Sequence, residues 1–257
     1  MEPVFYTLEV LVKAAVRVNG IQITYRGLAN LPAGGGAVIA INHTSYVDWM
    51  PAALAVHHRK RRLRFMIKKE MQEVKVINFL ISHTGTIPVD RRSGAGAYEV
   101  AVERLRAGEL VGVYPEATIS RSFELKEFKT GAARMARDAE VPIVPLVVWG
   151  AQRLWTKDHP RHLWGRRGGA KIPITVEMGK PLQAGETMEQ TLQYLRSAMT
   201  ELLHEAQRDY SCPQGAYWVP RRLGGSAPTP EEAKALDEAE WTERARRRAM
   251  REGGSRR

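Results

Sequence analysis

The sequence predicts an α/β domain: a mixed, mostly parallel sheet flanked by helices and preceded by an amphipathic helix. Three observations carry this. A short continuous apolar run at 37–41 is followed by mainly apolar stretches at 64–67, 110–114, 143–149 and 174–178, each of strand length. Stretches with helical periodicity lie between or after them, near 71–82, 95–107, 130–139 and 187–208. The alternation of the two is the signature of helices packed on a largely parallel sheet. The 257 residues suffice for one sizeable domain with appendages, and 44% hydrophobic with 26% charged content is that of a globular chain.

Taken in order, residues 4–18 place Val4, Leu8, Leu11, Val12 and Ala15 on one helical face, with Glu9, Lys13 and Arg17 recurring every four residues on another. Such a helix either packs on the core or lies in a membrane interface with its basic residues toward headgroups. A turn-rich stretch, Asn30 to Gly36, then leads into the buried strand at 37–41. Two later helix starts are well marked. Thr187 with Gln190 forms a capping box, and Thr229-Pro230-Glu231-Glu232 combines a cap, a first-turn proline and early acids. A Pro/Gly-rich link precedes the second start, and the helix after it runs into Arg244, Arg246, Arg247, Arg248, Arg251, Arg256 and Arg257. The organisation read from this is an N-terminal helix (1–20), a catalytic-sized domain (21–210), and a linker with a basic helical tail (211–257). No internal repeat and no glycine-rich phosphate loop occurs.

The net charge of +11 implies an anionic partner: a nucleic acid, an anionic membrane surface or a phosphorylated substrate. Nucleic acid is disfavoured, because zinc-finger spacing, aromatic-basic RNA-binding signatures and leucine heptads are all missing from the sequence. The single cysteine, Cys212, excludes an internal disulfide and a cysteine-based metal site. No window supplies the eighteen or so apolar residues of a spanning helix. The N-terminal stretch does not read as a signal peptide.

Asn42-His43-Thr44-Ser45-Tyr46-Val47-Asp48-Trp49 follows the strand at 37–41, so His43 sits outside a strand's carboxyl end, where open α/β sheets place their ligands. A histidine oriented by an aspartate can serve as a general base; with no Gly-x-Ser-x-Gly nucleophile present, the pair would deprotonate a substrate's own hydroxyl. A second reading is structural. Ser45-x-x-Asp48 is itself a capping box, although a helix starting at Ser45 puts Pro51 in its second turn, whereas one starting at Asp48 keeps Pro51 in the first.

Three more stretches follow: Gly85-Thr86-Ile87-Pro88-Val89-Asp90-Arg91, Val113-Tyr114-Pro115-Glu116-Ala117-Thr118-Ile119-Ser120, and Val141-Pro142-Ile143-Val144-Pro145-Leu146. In this order and at these spacings the four resemble the signature blocks of the glycerolipid acyltransferase family, of the PlsC-type 1-acyl-sn-glycerol-3-phosphate acyltransferases in particular. The resemblance covers about residues 21–183. It implies a glycerol-3-phosphate acyltransferase-like fold, with His43 as general base and Asp48 as its orienter. The donor would be acyl-CoA or acyl carrier protein, the acceptor a lysophospholipid, with no metal and no cofactor.

By the same resemblance, Gly85, Asp90, Arg91, Pro115, Glu116 and Thr118 hold the acceptor. Arginine and lysine suit a phosphate monoester through charge-assisted hydrogen bonds, which adds Arg92, Lys68 and Lys69 as helpers. The third block departs from the common Pro-Glu-Gly-Thr-Arg-Ser: Ala117 stands where glycine is usual and Ile119 where a cation is usual. Arg121 and Lys129 are the expected replacements. A lipid acceptor further implies peripheral or monotopic attachment to the cytoplasmic face of the cell membrane. The first helix and the basic run from His57 to Arg64 would face the anionic surface.

Overall fold

The computed structural model describes residues 3–90, 95–162 and 171–254. Seven strands, β1 (Ile21–Arg26), β2 (Ala37–Ile41), β3 (Leu63–Lys68), β4 (Ile87–Val89), β5 (Leu110–Val113), β6 (Ile143–Trp149) and β7 (Ile172–Met178), form one sheet in the order β1-β7-β6-β2-β5-β3-β4. Every neighbouring pair is parallel except β6 with β7. The expected α/β architecture with a mostly parallel sheet is therefore the observed one.

β2 and β6 are buried along their whole length. That is why they read as continuous apolar runs: helices cover both faces of a parallel sheet, so no alternation survives. Ile39 and Ile41 are 0% exposed, and each such side chain contributes about 1.5–3 kcal/mol by leaving water. The two strands absent from the sequence reading lie at the sheet's edges. β1 alternates half-buried and exposed residues, and β4 is three residues long with Pro88 at its centre, tolerated because an edge strand does not need that N–H.

α1 (Pro3–Val18) precedes the sheet, α2 (Trp49–His58), α3 (Lys75–Thr84), α4 (Ala95–Arg106) and α5 (Gly131–Ala139) connect strands, and α6 (Met188–Arg208) and α7 (Pro230–Gly254) follow β7. α2 takes Asp48 as its N-cap residue, the start that leaves Pro51 in the first turn. The single helix expected near 71–82 is two pieces, a 3-10 turn over Lys69–Glu73 and then α3, separated where Val74 is extended. α6 begins with the complete Thr187/Gln190 capping box. At α7, Glu232 N–H donates to Thr229 Oγ1 (3.2 Å) while Glu232 Oε2 accepts from Thr229 N–H (2.9 Å).

α1 combines both faces weighed from the sequence. Val4, Leu8, Val12 and Ala15 are half-buried, and Glu9 pairs with His57 Nε2 at 2.8 Å, whereas Tyr6, Val10, Leu11 and Val18 are 71%, 49%, 59% and 69% exposed. Leu11 thus lies on the outer face, not on the packed one. Among the described residues no helix is long and apolar enough to cross a membrane.

The chain divides into two compact units, residues 1–119 with 127–210, and residues 120–126 with 211–257. The first holds the sheet. The second contains α7, whose Asp237 pairs with Arg121 and Lys126 and whose Glu240 accepts from Arg121 at 2.9 Å. Arg222 pairs with Glu124 in the same unit, and Phe123 is buried there with a left-handed φ of 58°.

Candidate active site

The stretch after β2 is fixed to β6 by side chains that imitate a strand. Asn42 Nδ2 donates to the Val148 carbonyl (3.0 Å) and its Oδ1 accepts from the Val148 N–H (2.7 Å), extending the ladder by one residue. Ser45 Oγ donates to the Trp155 carbonyl (2.6 Å), Tyr46 N–H to the same carbonyl (3.1 Å) and Thr156 Oγ1 to the Thr44 carbonyl (2.7 Å). The loop carrying His43 is therefore held along most of its length.

Asp48 is 0% exposed, and its Oδ2 accepts three hydrogen bonds: from Thr44 N–H (2.8 Å), Ser45 N–H (2.7 Å) and His43 Nδ1 (3.2 Å). Half of the predicted capping box is present, since Asp48 reaches back to Ser45 while Ser45 Oγ accepts from Val47 N–H (3.1 Å). The structural and the chemical reading of Asp48 thus meet on one oxygen. Oδ1 is buried without a hydrogen-bond partner among the described residues. Burial pushes the Asp48 carboxyl above its ordinary value, and His43 and the two backbone donors pull it part of the way back.

Because Nδ1 of His43 faces a carboxylate, it carries the proton and Nε2 keeps its lone pair. The imidazole is about one-fifth exposed. The main-chain N–H of His43 donates to Glu116 Oε1 at 2.8 Å, and the ring stacks on Tyr114 with centroids 4.0 Å apart and planes 21° off parallel. Burial and the neighbouring Asp48 push the Tyr114 hydroxyl well above its ordinary value.

The predicted acceptor residues divide. Glu116 is buried, and one carboxylate oxygen serves the main chain of His43, a task the sequence reading did not assign. Gly85 ends α3 in the left-handed region (φ 63°), where an added Cβ would stand 3.2 Å from the Arg64 side chain; its place in the fold is that of a helix cap. Arg64 is itself buried between Glu109 and the Thr84 carbonyl. Arg121 is not the replacement cation expected from the sequence: its guanidinium is buried and taken up by Asp237 and Glu240. Ile119 is buried, and Ala117 adopts the left-handed φ of 61° that glycine would give, so the turn has its form despite the substitution.

Pro115 is tied to Lys129, whose N–H donates to the Pro115 carbonyl (2.8 Å), and the Lys129 side chain is exposed beside the third block. Thr118 is half-buried there. Lys68 ends β3, and the adjacent Lys69 pairs with Asp90 at 3.4 Å, an exposed contact of small net energy. Arg91 and Arg92 lie outside the described residues.

β2, β5, β3 and β4 are parallel neighbours in that order, so His43, Pro115 with Glu116, Lys68 with Lys69, and Asp90 all emerge at one end of the sheet. At roughly 4.8 Å per strand this row spans about 14 Å. The arrangement has a buffered base at one end and cations at the other. Tyr114 is the site residue to which sequence reasoning gave no role; an aromatic one position before Pro115 is its only trace there.

Residues 22–149 match the family model described as Acyltransferase. The 1-acyl-sn-glycerol-3-phosphate acyltransferase of Bacillus subtilis is 29% identical over 177 residues, 68% of this chain and 81% of that protein. The protein of the same name from Borreliella burgdorferi is 26% identical over 157 residues, 60% of this chain and 62% of its own length. The crystal structure of the 1-acyl-sn-glycerophosphate (LPA) acyltransferase PlsC from Thermotoga maritima superposes with a TM-score of 0.61, covering 78% of this chain and 81% of that one, at 19% identity, a likeness of fold. With the family model spanning all four blocks, and the fold shared, the chain belongs to the acyltransferase family and is an enzyme of the O-acyltransferase class.

Proposed function

We propose that the chain transfers a fatty acyl group from acyl-CoA or acyl carrier protein to the free hydroxyl of 1-acyl-sn-glycerol-3-phosphate, giving phosphatidic acid. The observation that carries this reading is His43 at the carboxyl end of the central parallel strand, with Nδ1 on buried Asp48 and Nε2 left for a substrate. Nε2 takes the proton of the acceptor hydroxyl as its oxygen attacks the thioester carbonyl carbon. The tetrahedral intermediate collapses with cleavage of the carbon–sulfur bond, and the imidazolium returns the proton to the departing thiolate. Asp48 stabilises the imidazolium between these steps. Lys68, Lys69, Arg91 and Lys129 supply the positive charge for the acceptor phosphate.

The names of the Bacillus and Borreliella relatives support this acceptor. A second reading keeps the chemistry and changes the acceptor to a hydroxyl without a phosphate. It is favoured by one observation: Pro115 to Ser120 contains no cation, and Arg121 is engaged elsewhere. Arg91→Ala separates the two, raising the apparent KM for phosphorylated acceptors alone.

The enzyme works at the cytoplasmic membrane surface, attached peripherally through the exposed apolar face of α1. The basic run contributes less than its sequence suggests. Arg61 donates to the Pro32, Gly35 and Gly108 carbonyls and Arg64 is buried, which leaves exposed Arg59 and Lys60 toward headgroups.

Thiol release from acyl-CoA with lysophosphatidate, measured in wild type and His43→Ala, tests the mechanism. A loss of about 10²–10⁴-fold is expected for a general base; turnover that persists in the variant refutes the assignment.

A further inference from the structure

We propose that Tyr114 is a positioning residue, its ring holding the His43 imidazole in the plane that puts Nδ1 on Asp48 and Nε2 toward the acceptor hydroxyl. The proposal rests on the reading of His43 as base. Its grounds are the frame around the imidazole. Among the described residues the ring's one in-plane tether is the 3.2 Å contact to Asp48, and the outer torsion of a histidine is broad and two-fold, so a single contact at that length leaves the ring free to swing. The Tyr114 ring, 4.0 Å away and within 21° of parallel, blocks that swing from one side.

Tyr114 is itself fixed. Ala40 of β2 faces Val113 of β5 in the parallel ladder, so the chain leaves both strands side by side, with Tyr114 first on one and His43 soon after Ala40 on the other. The Tyr114 carbonyl accepts from Ala117 N–H (3.0 Å), and two residues on, Glu116 takes the His43 main-chain N–H (2.8 Å). The end of β5 thus grips His43 by main chain and by ring face, while Asp48 grips it by Nδ1.

The ring face is the operative part of Tyr114. Among the described residues no group hydrogen-bonds its hydroxyl, and burial with the Asp48 charge keeps that hydroxyl protonated, so it is no alternative base. An aliphatic side chain of similar volume fills the space and offers no flat surface. A base displaced by about 1 Å loses on the order of 10²-fold in rate.

The test compares Tyr114→Phe, Tyr114→Leu and Tyr114→Met with wild type, reading kcat and both KM values and checking each variant by thermal melting. Phe is expected to keep kcat within about twofold. Leu and Met are expected to lower kcat about 10- to 100-fold with both KM values within twofold. Tyr114 has no such role if Leu keeps the wild-type kcat, if Phe falls as far as Leu, if the loss appears in KM, or if neither aliphatic variant melts as a folded protein. These outcomes differ from failure of the underlying reading, which would show as an inactive wild type or an active His43→Ala.

Discussion

Replacing Ala117 by glycine should stabilise the protein, because the chain already adopts a glycine conformation there. Ala117 has φ 61°, in the region where Cβ crowds the following carbonyl, at a cost of roughly 1–2 kcal/mol for an L-residue. The conformation is imposed by the turn, whose Ala117 N–H donates to the Tyr114 carbonyl at 3.0 Å, and by Glu116, held on His43. Glycine relieves the crowding but adds freedom to the unfolded chain, which costs roughly 0.4–1 kcal/mol. The methyl group is exposed, so the core loses nothing. The difference is a gain of about 0.5–1 kcal/mol, and a chain of this size moves roughly 2–4 °C in Tm per kcal/mol. Thermal and urea melts of wild type and Ala117→Gly measure it, with kcat and KM expected within about twofold because the backbone does not move. A lower Tm, or a large change in acceptor KM, would refute the claim that the turn already has its glycine form.

The Asp48 carboxyl is raised above its ordinary 3.8 by burial, so in the window just above that value the folded chain binds a proton more readily than the unfolded chain. Stability attributable to this group therefore falls as pH rises through the window. In paired urea melts from about pH 4 to pH 7, Asp48→Asn is expected to gain on wild type with increasing pH while losing on the order of 10²-fold or more in kcat; a gap that stays constant with pH sinks the argument. In the second unit, Asp237→Ala removes a carboxylate that pairs with both the buried Arg121 and Lys126. Urea denaturation is expected to show a loss of about 3 kcal/mol, and a loss below ~1 kcal/mol would mean the pairs are solvated.

What the sequence made legible follows from burial. β2 and β6, covered on both faces, announce themselves as apolar runs, and the helix starts at Thr187 and Thr229 are local chemistry that needs no tertiary partner. β1 and β4 do not, because an edge strand is half wet and a three-residue strand has no period. At the site, His43 and Asp48 stand out through their spacing, and the helix start through Pro51. The partners that fix His43 are another matter. Glu116 and Tyr114 reach it only because β5 lies beside β2, a neighbour relation that residues 73 and 71 places away cannot express in a chain. Arg121 shows the opposite failure: its position suggested a free cation, and the acids that neutralise it are on α7, 116 and 119 residues away.

The grouping of residues 120–126 with residues 211–257 limits how this enzyme can be cut and recombined. The matched family region, 22–149, contains a loop whose ionic partners lie beyond it in the chain. A shortened version ending at Tyr210 would keep every signature block and still strip the acids from Arg121 and Lys126. A hybrid that imports the matched region from a relative would bring a foreign loop to α7, with Asp237 and Glu240 facing whatever charge that loop carries. The unit of exchange in this protein is the loop together with its distant helix, and a boundary drawn from the blocks alone passes through it.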